Sequence, residues 1–249
     1  MPRFAANLTL LFTELPFLDR FEAARAAGFD GVEVLFPYDC PAPQILERLD
    51  RTGLAMVLMN CPPPNYADGP RGFAAVPAAE ARFRTDFRRA ARYAATLGAK
   101  HLHIMAGAAE GEAARACFVR NLAWAAQSAP RLSLTIEPIN GQDMPGYFLQ
   151  DFGLAAEILE RIGAPNLRLQ FDAYHAHRLT GDVLGTWDRV RHLVAHVQVG
   201  GFPGRHEPLG GEIDYPAFFA RLKAQGYAGW ISGEYHPAGA TRDGLAWIR

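Results

Sequence analysis

With 249 residues, 49% of them hydrophobic and 20% charged, the chain is long enough to bury a substantial core as one domain, and its composition excludes a disordered or fibrous class. A formal net charge of −1 supplies no basic field, so nucleic acid is not an expected partner. Three cysteines, Cys40, Cys61 and Cys117, lack CxxC spacing; they suggest neither a disulfide framework nor a thiolate metal site, and they fit a reducing cytoplasm.

The chain opens at Met1-Pro2-Arg3-Phe4 directly on a strand-like segment with no apolar signal core. No stretch approaches the roughly 18 apolar residues of a membrane span, so no membrane partner is expected. Short apolar runs then recur, each followed by an Ala/Arg/Leu-rich amphipathic stretch, the alternation of βαβ units around a parallel sheet. The predicted strands are 4–10, 31–35, 55–59, 101–105, 132–136, 167–171, 195–199 and 230–233. Helical patterns lie between them at 16–27, 43–52, 79–97, 112–129, 151–162 and 215–225, and the stretch between the sixth and seventh strands is less clear. Two joints, Ala27-Gly28-Phe29-Asp30-Gly31 and Gln225-Gly226-Tyr227-Ala228-Gly229, place a glycine where a helix C-cap needs positive φ. This count of units predicts an α/β chain folded as a single-domain (β/α)8 TIM barrel over 1–249, with an open doubly wound sheet as the structural alternative. Long Gly/Pro/charge-rich segments at 60–77 and 200–213 follow the third and seventh strands, on the face where a barrel carries its active site.

Four strands end in acidic or amide side chains: Glu137, Asp172, Gln198 and Glu234. All four are expected to point into one mouth, where crowded carboxylates repel unless a cation compensates. A bound divalent metal resolves this. The donors are all oxygen, counting the Gln198 carbonyl, which favours Mg²⁺ first and Mn²⁺ second over Zn²⁺. The alternative for each single residue is a cap on the following loop or helix. His175, three residues after Asp172, and His103 on the fourth strand are candidates to hold a substrate oxygen. His101, His177, His192, His196 and His236 read as structural. Three carboxylates and one divalent ion leave the pocket near −1, so an anionic substrate needs an arginine; Arg205 is the first candidate clamp and Arg71 the second.

Other chemistries lack their residues. Lysine occurs only at Lys100 and Lys223, neither placed for a Schiff base. Neither GxGxxG, GxxxxGK[ST] nor GxSxG occurs.

The sequence resembles the hydroxypyruvate isomerase family of xylose isomerase-like barrels nearly end to end. The resemblance rests on Phe4-Ala5-Ala6-Asn7-Leu8, Gly28-Phe29-Asp30-Gly31-Val32-Glu33 and Glu137-Pro138-Ile139-Asn140 with Pro145-Gly146-Tyr147-Phe148. It continues through Gln170-Phe171-Asp172-Ala173-Tyr174-His175 and Pro203-Gly204-Arg205-His206-Glu207-Pro208. It implies that Glu137, Asp172, Gln198 and Glu234 bind the metal, with Glu137 and Glu234 also serving as the acid/base pair. Many relatives in the wider superfamily carry His where this chain has Gln198, so their preference for softer ions does not transfer.

The expected reaction is proton-transfer isomerisation, through an enediolate, of a small anionic hydroxy-carbonyl acid: hydroxypyruvate to tartronate semialdehyde. The branch acting on 2-oxo-tetronate looks similar, and sequence alone does not separate the two substrates. Other readings are a sugar or sugar-acid epimerase, a barrel endonuclease at abasic DNA and a non-catalytic sugar-acid binding protein. Which glutamate acts first, which metal is loaded and the oligomeric state stay open; the outer helices and segment 245–249 are compatible with a homo-oligomer.

Overall fold

The structure, a computed structural model, describes residues 3–61 and 71–248. Strands β1 (Arg3–Asn7), β2 (Gly31–Glu33), β3 (Ala55–Asn60), β4 (His101–His103), β5 (Ser133–Ile136), β6 (Leu167–Asp172), β7 (Val194–Val199) and β8 (Trp230–Gly233) pair in chain order. β8 returns to β1 in parallel, with Phe4 opposite Ile231, so the sheet closes and the open-sheet alternative is excluded. Around it run α1 (Arg20–Ala27), α2 (Ala42–Thr52), α3 (Glu80–Leu97), α4 (Gly111–Ser128), α5 (Phe152–Ile162), α6 (Ala173–Thr180), α7 (Val183–Val190) and α8 (Tyr215–Ala224). Among the described residues no helix is long and apolar enough to cross a membrane.

Strand side chains alternate between two faces, and here the faces differ in chemistry. Leu134, Ile136, Leu169, Phe171, Val197 and Val199 belong to the apolar core shared with the helices. The residues between them, Thr135, Gln170, His196 and Gln198, are equally buried but polar. Gln198 on β7 hydrogen-bonds Glu33 on β2, a strand it does not adjoin, so these side chains meet across the lumen. The polar set therefore lies in the barrel interior, beside a small apolar cluster of Ala5, Val57, Leu58 and Trp230, and the main apolar core lies outside the sheet.

Differences from expectation have local causes. The first strand stops at Asn7 because the chain turns there: Asn7 Oδ1 accepts from Thr9 N–H, and Leu11 N–H bonds the Asn7 carbonyl. Between β6 and β7 stand two short helices, α6 and α7, broken at Gly181 in the left-handed region and restarted by Asp182, whose side chain caps Gly185 N–H. Of the segment expected at 60–77, residues 62–70 lie outside the described residues, as do Met1, Pro2 and Arg249.

Candidate active site

Strand ends deliver the predicted acids to the mouth at the C-terminal face. Glu137 follows β5, Asp172 ends β6, and Glu234 follows β8. Gln198 lies opposite Asp172 on one side and Ser232 on the other. A cavity of about 300 Å³ opens there, its wall including Glu137, Glu234, Arg205, His175, Arg71 and Gln170. Asp172 and Gln198 are fully buried and are not on that wall.

The four predicted oxygen donors are joined pairwise by shared nitrogens. Arg205 Nη2 donates to Asp172 Oδ2 at 2.9 Å and to Glu234 Oε1 at 3.2 Å. Gln170 Nε2 donates to Glu137 Oε2 at 3.0 Å and to Gln198 Oε1 at 2.6 Å. A cation thus already stands among the carboxylates, and it is the guanidinium that was expected to clamp substrate. Asp172 fills both roles considered for it, since its Oδ1 caps α6 by accepting from Tyr174 N–H at 2.8 Å while Oδ2 faces Arg205.

Backbone geometry aims Arg205. It is one of two non-glycine residues with positive φ, at 52°, among the described residues. Such a conformation is uncommon for a bulky side chain and is held by its surroundings. Gly200 supplies the room: a Cβ there would lie 2.8 Å from the Glu234 carbonyl and 3.3 Å from Arg205 Cγ.

His175 places Nε2 3.7 Å from Asp172 Oδ2 and 3.9 Å from Glu137 Oε1, and one atom each from these three residues would suit a metal. Its tautomer argues for another role. Asn140 Oδ1 accepts from Gln142 and Asp143 N–H groups, which fixes the amide so that Nδ2 faces His175 Nδ1 at 2.7 Å. Nδ1 is therefore the acceptor, and the proton resides on Nε2. Arg205 Nη2, 3.4 Å from Nε2, has its two protons on Asp172 and Glu234 and does not compete. Burial holds the ring neutral, its pKa pushed down to about 4. His175 thus presents an N–H to the cavity, as suits a hydrogen bond to a substrate oxygen. His103 is also buried and neutral, its Nδ1 3.2 Å from Asn60 Oδ1 and 3.6 Å from Glu137 Oε2. Arg71 lines the outer cavity, its guanidinium 5.9 Å from the Phe36 ring centre.

Burial, then the neighbouring Glu234 and Asp172, push the Glu137 carboxyl well above its ordinary pKa, with Arg205 opposing. Burial raises Glu234 to about 8 against the same Arg205, with Asp172 and Glu33 adding to the rise. Arg205 stays charged: burial alone would favour loss of its proton, but Glu234, Asp172 and Glu137 hold it on. Carboxyls whose hold on a proton is strengthened in this way suit acid/base work.

A divalent cation fits this set. Among the described residues Glu137 Oε1 and Glu234 Oε2 are buried without a hydrogen-bond partner, a costly state that a cation or substrate would relieve. Sequence reasoning missed three residues of the same network: Gln170, Asn140 and Glu33. Gln170 was within reach, two residues before Asp172 and so on the same face of one strand.

The chain matches the family described as xylose isomerase-like TIM barrel over residues 21–249. It is 46% identical to the 2-oxo-tetronate isomerase of Cupriavidus necator, covering 100% of this chain and 98% of that protein. It is 37% identical to the hydroxypyruvate isomerase of Escherichia coli, covering 100% and 98%. A crystal structure from Brucella melitensis, described as an AP endonuclease of family 2, superposes with a TM-score of 0.96 at 42% identity, covering 100% of this chain and 98% of that one.

Proposed function

The chain belongs to the hydroxypyruvate isomerase family of xylose isomerase-like TIM barrels and is an isomerase; from that premise we propose that it interconverts a short 3-hydroxy-2-oxo acid and its 2-hydroxy-3-oxo isomer by proton transfer, with Glu137 and Glu234 as the acid/base pair. The observation that carries this reading is a pair of buried oxygens, Glu137 Oε1 and Glu234 Oε2, without a partner among the described residues, on a cavity that also holds Arg205 and Arg71.

Glu137, Asp172, Gln198 and Glu234 would hold Mg²⁺, or Mn²⁺ in its place, all through oxygen. Such an ion supplies Lewis acidity, polarising the substrate carbonyl and lowering the cost of negative charge on its oxygen. The chain's own groups do the rest. One glutamate oxygen takes the proton from C3, and the C–H electron pair moves to C2 and its oxygen to give an enediolate. The hydroxyl proton passes from O3 to O2, and a glutamate returns a proton to C2, leaving the carbonyl at C3. Nothing is gained or lost overall, so no redox partner is needed. General acid/base catalysis of this kind contributes roughly 10²- to 10⁴-fold. His175 Nε2–H donates to a substrate oxygen, and Arg71 with the remaining N–H groups of Arg205 faces the carboxylate.

Hydroxypyruvate and 2-oxo-tetronate share this reacting core and differ in what C3 carries. The same proton path yields an aldehyde from the three-carbon acid and a ketone from the four-carbon acid. The higher identity to the Cupriavidus protein favours the four-carbon substrate. An abasic-site endonuclease is the weaker reading, because a chain of net charge −1 offers no excess positive field to a polyanion.

The test is an assay of Mg²⁺- and Mn²⁺-reconstituted protein against both acids side by side. Turnover of both, with higher kcat/KM for 2-oxo-tetronate, is expected. A preference for hydroxypyruvate would restore the three-carbon reading, and turnover of neither would defeat the proposal.

A further inference from the structure

Five buried polar side chains form one directed ladder through the barrel interior. Thr135 Oγ–H donates to Gln170 Oε1 at 3.0 Å, and Gln170 Nε2 donates to both Glu137 Oε2 and Gln198 Oε1. Gln198 Nε2 then donates across the lumen to Glu33 Oε2 at 3.0 Å, with Oε1 at 3.4 Å. His196 Nε2 lies 3.2 Å from the same Glu33 Oε2. Thr135, Gln170, Gln198, Glu33 and His196 are at most 1% exposed, so water does not substitute for a lost rung.

Direction is the point of this arrangement. An amide has one accepting and one donating end, and either can face a given neighbour unless the neighbours forbid it. At Gln198, reversal would set its oxygen against the Glu33 carboxyl and its NH₂ against the Gln170 NH₂. At Gln170, reversal would set oxygen against the Glu137 carboxyl and against Gln198 Oε1. Both reversals bury like against like. An ionised Glu33 can only accept, so it requires the Gln198 NH₂ to face it and sets the direction of the ladder.

We propose that Glu33 and Gln170 are positioning residues: Glu33 draws the Gln198 NH₂ away from the mouth so that Gln198 presents oxygen, and Gln170 occupies Glu137 Oε2 so that Oε1 is the oxygen left for chemistry. The inference rests on the cation reading above and gives Gln198 its place in it. An amide free to turn must be oriented by the cation itself, at a cost in affinity. An amide pinned by a carboxylate behind it is an oxygen donor only, which selects for hard ions.

Two measurements separate this from the cation reading. The first needs no metal. In NMR spectra of the metal-free protein, the Gln170 and Gln198 side-chain NH₂ signals, assigned by loss in Gln170→Met and Gln198→Met, should persist after transfer to D₂O. In Glu33→Met the Gln198 pair should shift and exchange faster. Gln198 signals that exchange at once in the native chain, or are unmoved in Glu33→Met, would overturn the ladder whatever the metal does.

The second is Mn²⁺ titration by calorimetry. Glu33→Met should weaken Mn²⁺ binding roughly ten- to a hundredfold, the usual effect of losing a group that orients a ligand. Glu33→Gln, which keeps an accepting oxygen, should restore affinity to within roughly threefold of the native chain. Gln170→Leu, which leaves Glu33 intact, carries the same test should Glu33→Met not fold. Native affinity in Glu33→Met or Gln170→Leu would contradict the proposal. No Mn²⁺ binding by the native chain would instead contradict the cation reading, and the exchange measurement would still decide the ladder.

Discussion

Arg205 and Arg71 carry the same charge and differ in what each already holds. Arg205 Nη2 is committed to Asp172 and Glu234, whereas Arg71 stands at the exposed rim of the cavity. Removing Arg71 should therefore subtract ground-state attraction for the anionic substrate. Removing Arg205 should also release two carboxylates that the reaction needs held. Arg71→Gln is expected to raise KM roughly tenfold or more, the value of one charge-assisted hydrogen bond, with a smaller fall in kcat. Arg205→Gln is expected to lower kcat by at least as large a factor as it raises KM. Steady-state kinetics of the two variants checks this, and equal KM-only effects would remove the distinction. The eight residues singled out from sequence show what a chain can disclose about a site. Strand-end acids were legible because carboxylates recur at the C-terminal ends of three barrel strands, the face that carries an active site, more often than capping alone requires. Glu33, Gln170 and Asn140 were not, because their importance lies in which neighbour each amide or carboxyl faces, and one of those neighbours lies across a closed lumen.

At the scale of elements, strands and helices followed from alternating apolar runs and amphipathic stretches, with ends set by caps and turns. The region of α6 and α7 escaped, because the break at Gly181 splits it into two short helices with separate buried faces. The loop after β3 meets the barrel at Gly72, which makes an isolated bridge with Ala106. Gly72 has φ of 97°, and a Cβ there would fall 2.3 Å from the Met105 carbonyl oxygen. No side chain fits without moving that backbone, and Arg71 is the next residue. Gly72→Ala is therefore expected to destabilise by at least about 1 kcal/mol and to raise KM in the manner of Arg71→Gln. Urea unfolding and kinetics on one sample check both effects; a variant of native stability would show that the loop is not held at this point.

For the molecule as a whole, the polar lumen ties stability to pH. Burial, followed by His196 and Lys100, lowers the His101 pKa from 6.5 to about 3, and burial lowers His196 to about 3 against the pull of Asp172. Both folded values lie below the unfolded one. Between about pH 3 and 6.5 the unfolded chain therefore binds more protons, and stability is lost as pH falls through that window. Glu33 acts the other way. Burial raises its pKa from 4.5 to about 8, so its contribution is lost as pH rises between those values. Below about pH 4.5 the histidines act without that opposition, each adding a slope of about 1.4 kcal/mol per pH unit. His101→Gln should reduce the slope of unfolding free energy against pH there by about one proton, and an unchanged slope would show that His101 is not held neutral.

The proposed reaction moves a proton from carbon to a glutamate oxygen, and solvent isotope reads that event most directly. In D₂O, the Mg²⁺-loaded protein turning over its 3-hydroxy-2-oxo acid should place solvent deuterium at C2 of the product, observed by NMR, and Glu234→Gln should abolish the exchange. Product free of deuterium at full turnover would contradict delivery by a second, solvent-exchanged glutamate, because the hydrogen would then have passed from C3 to C2 unexchanged.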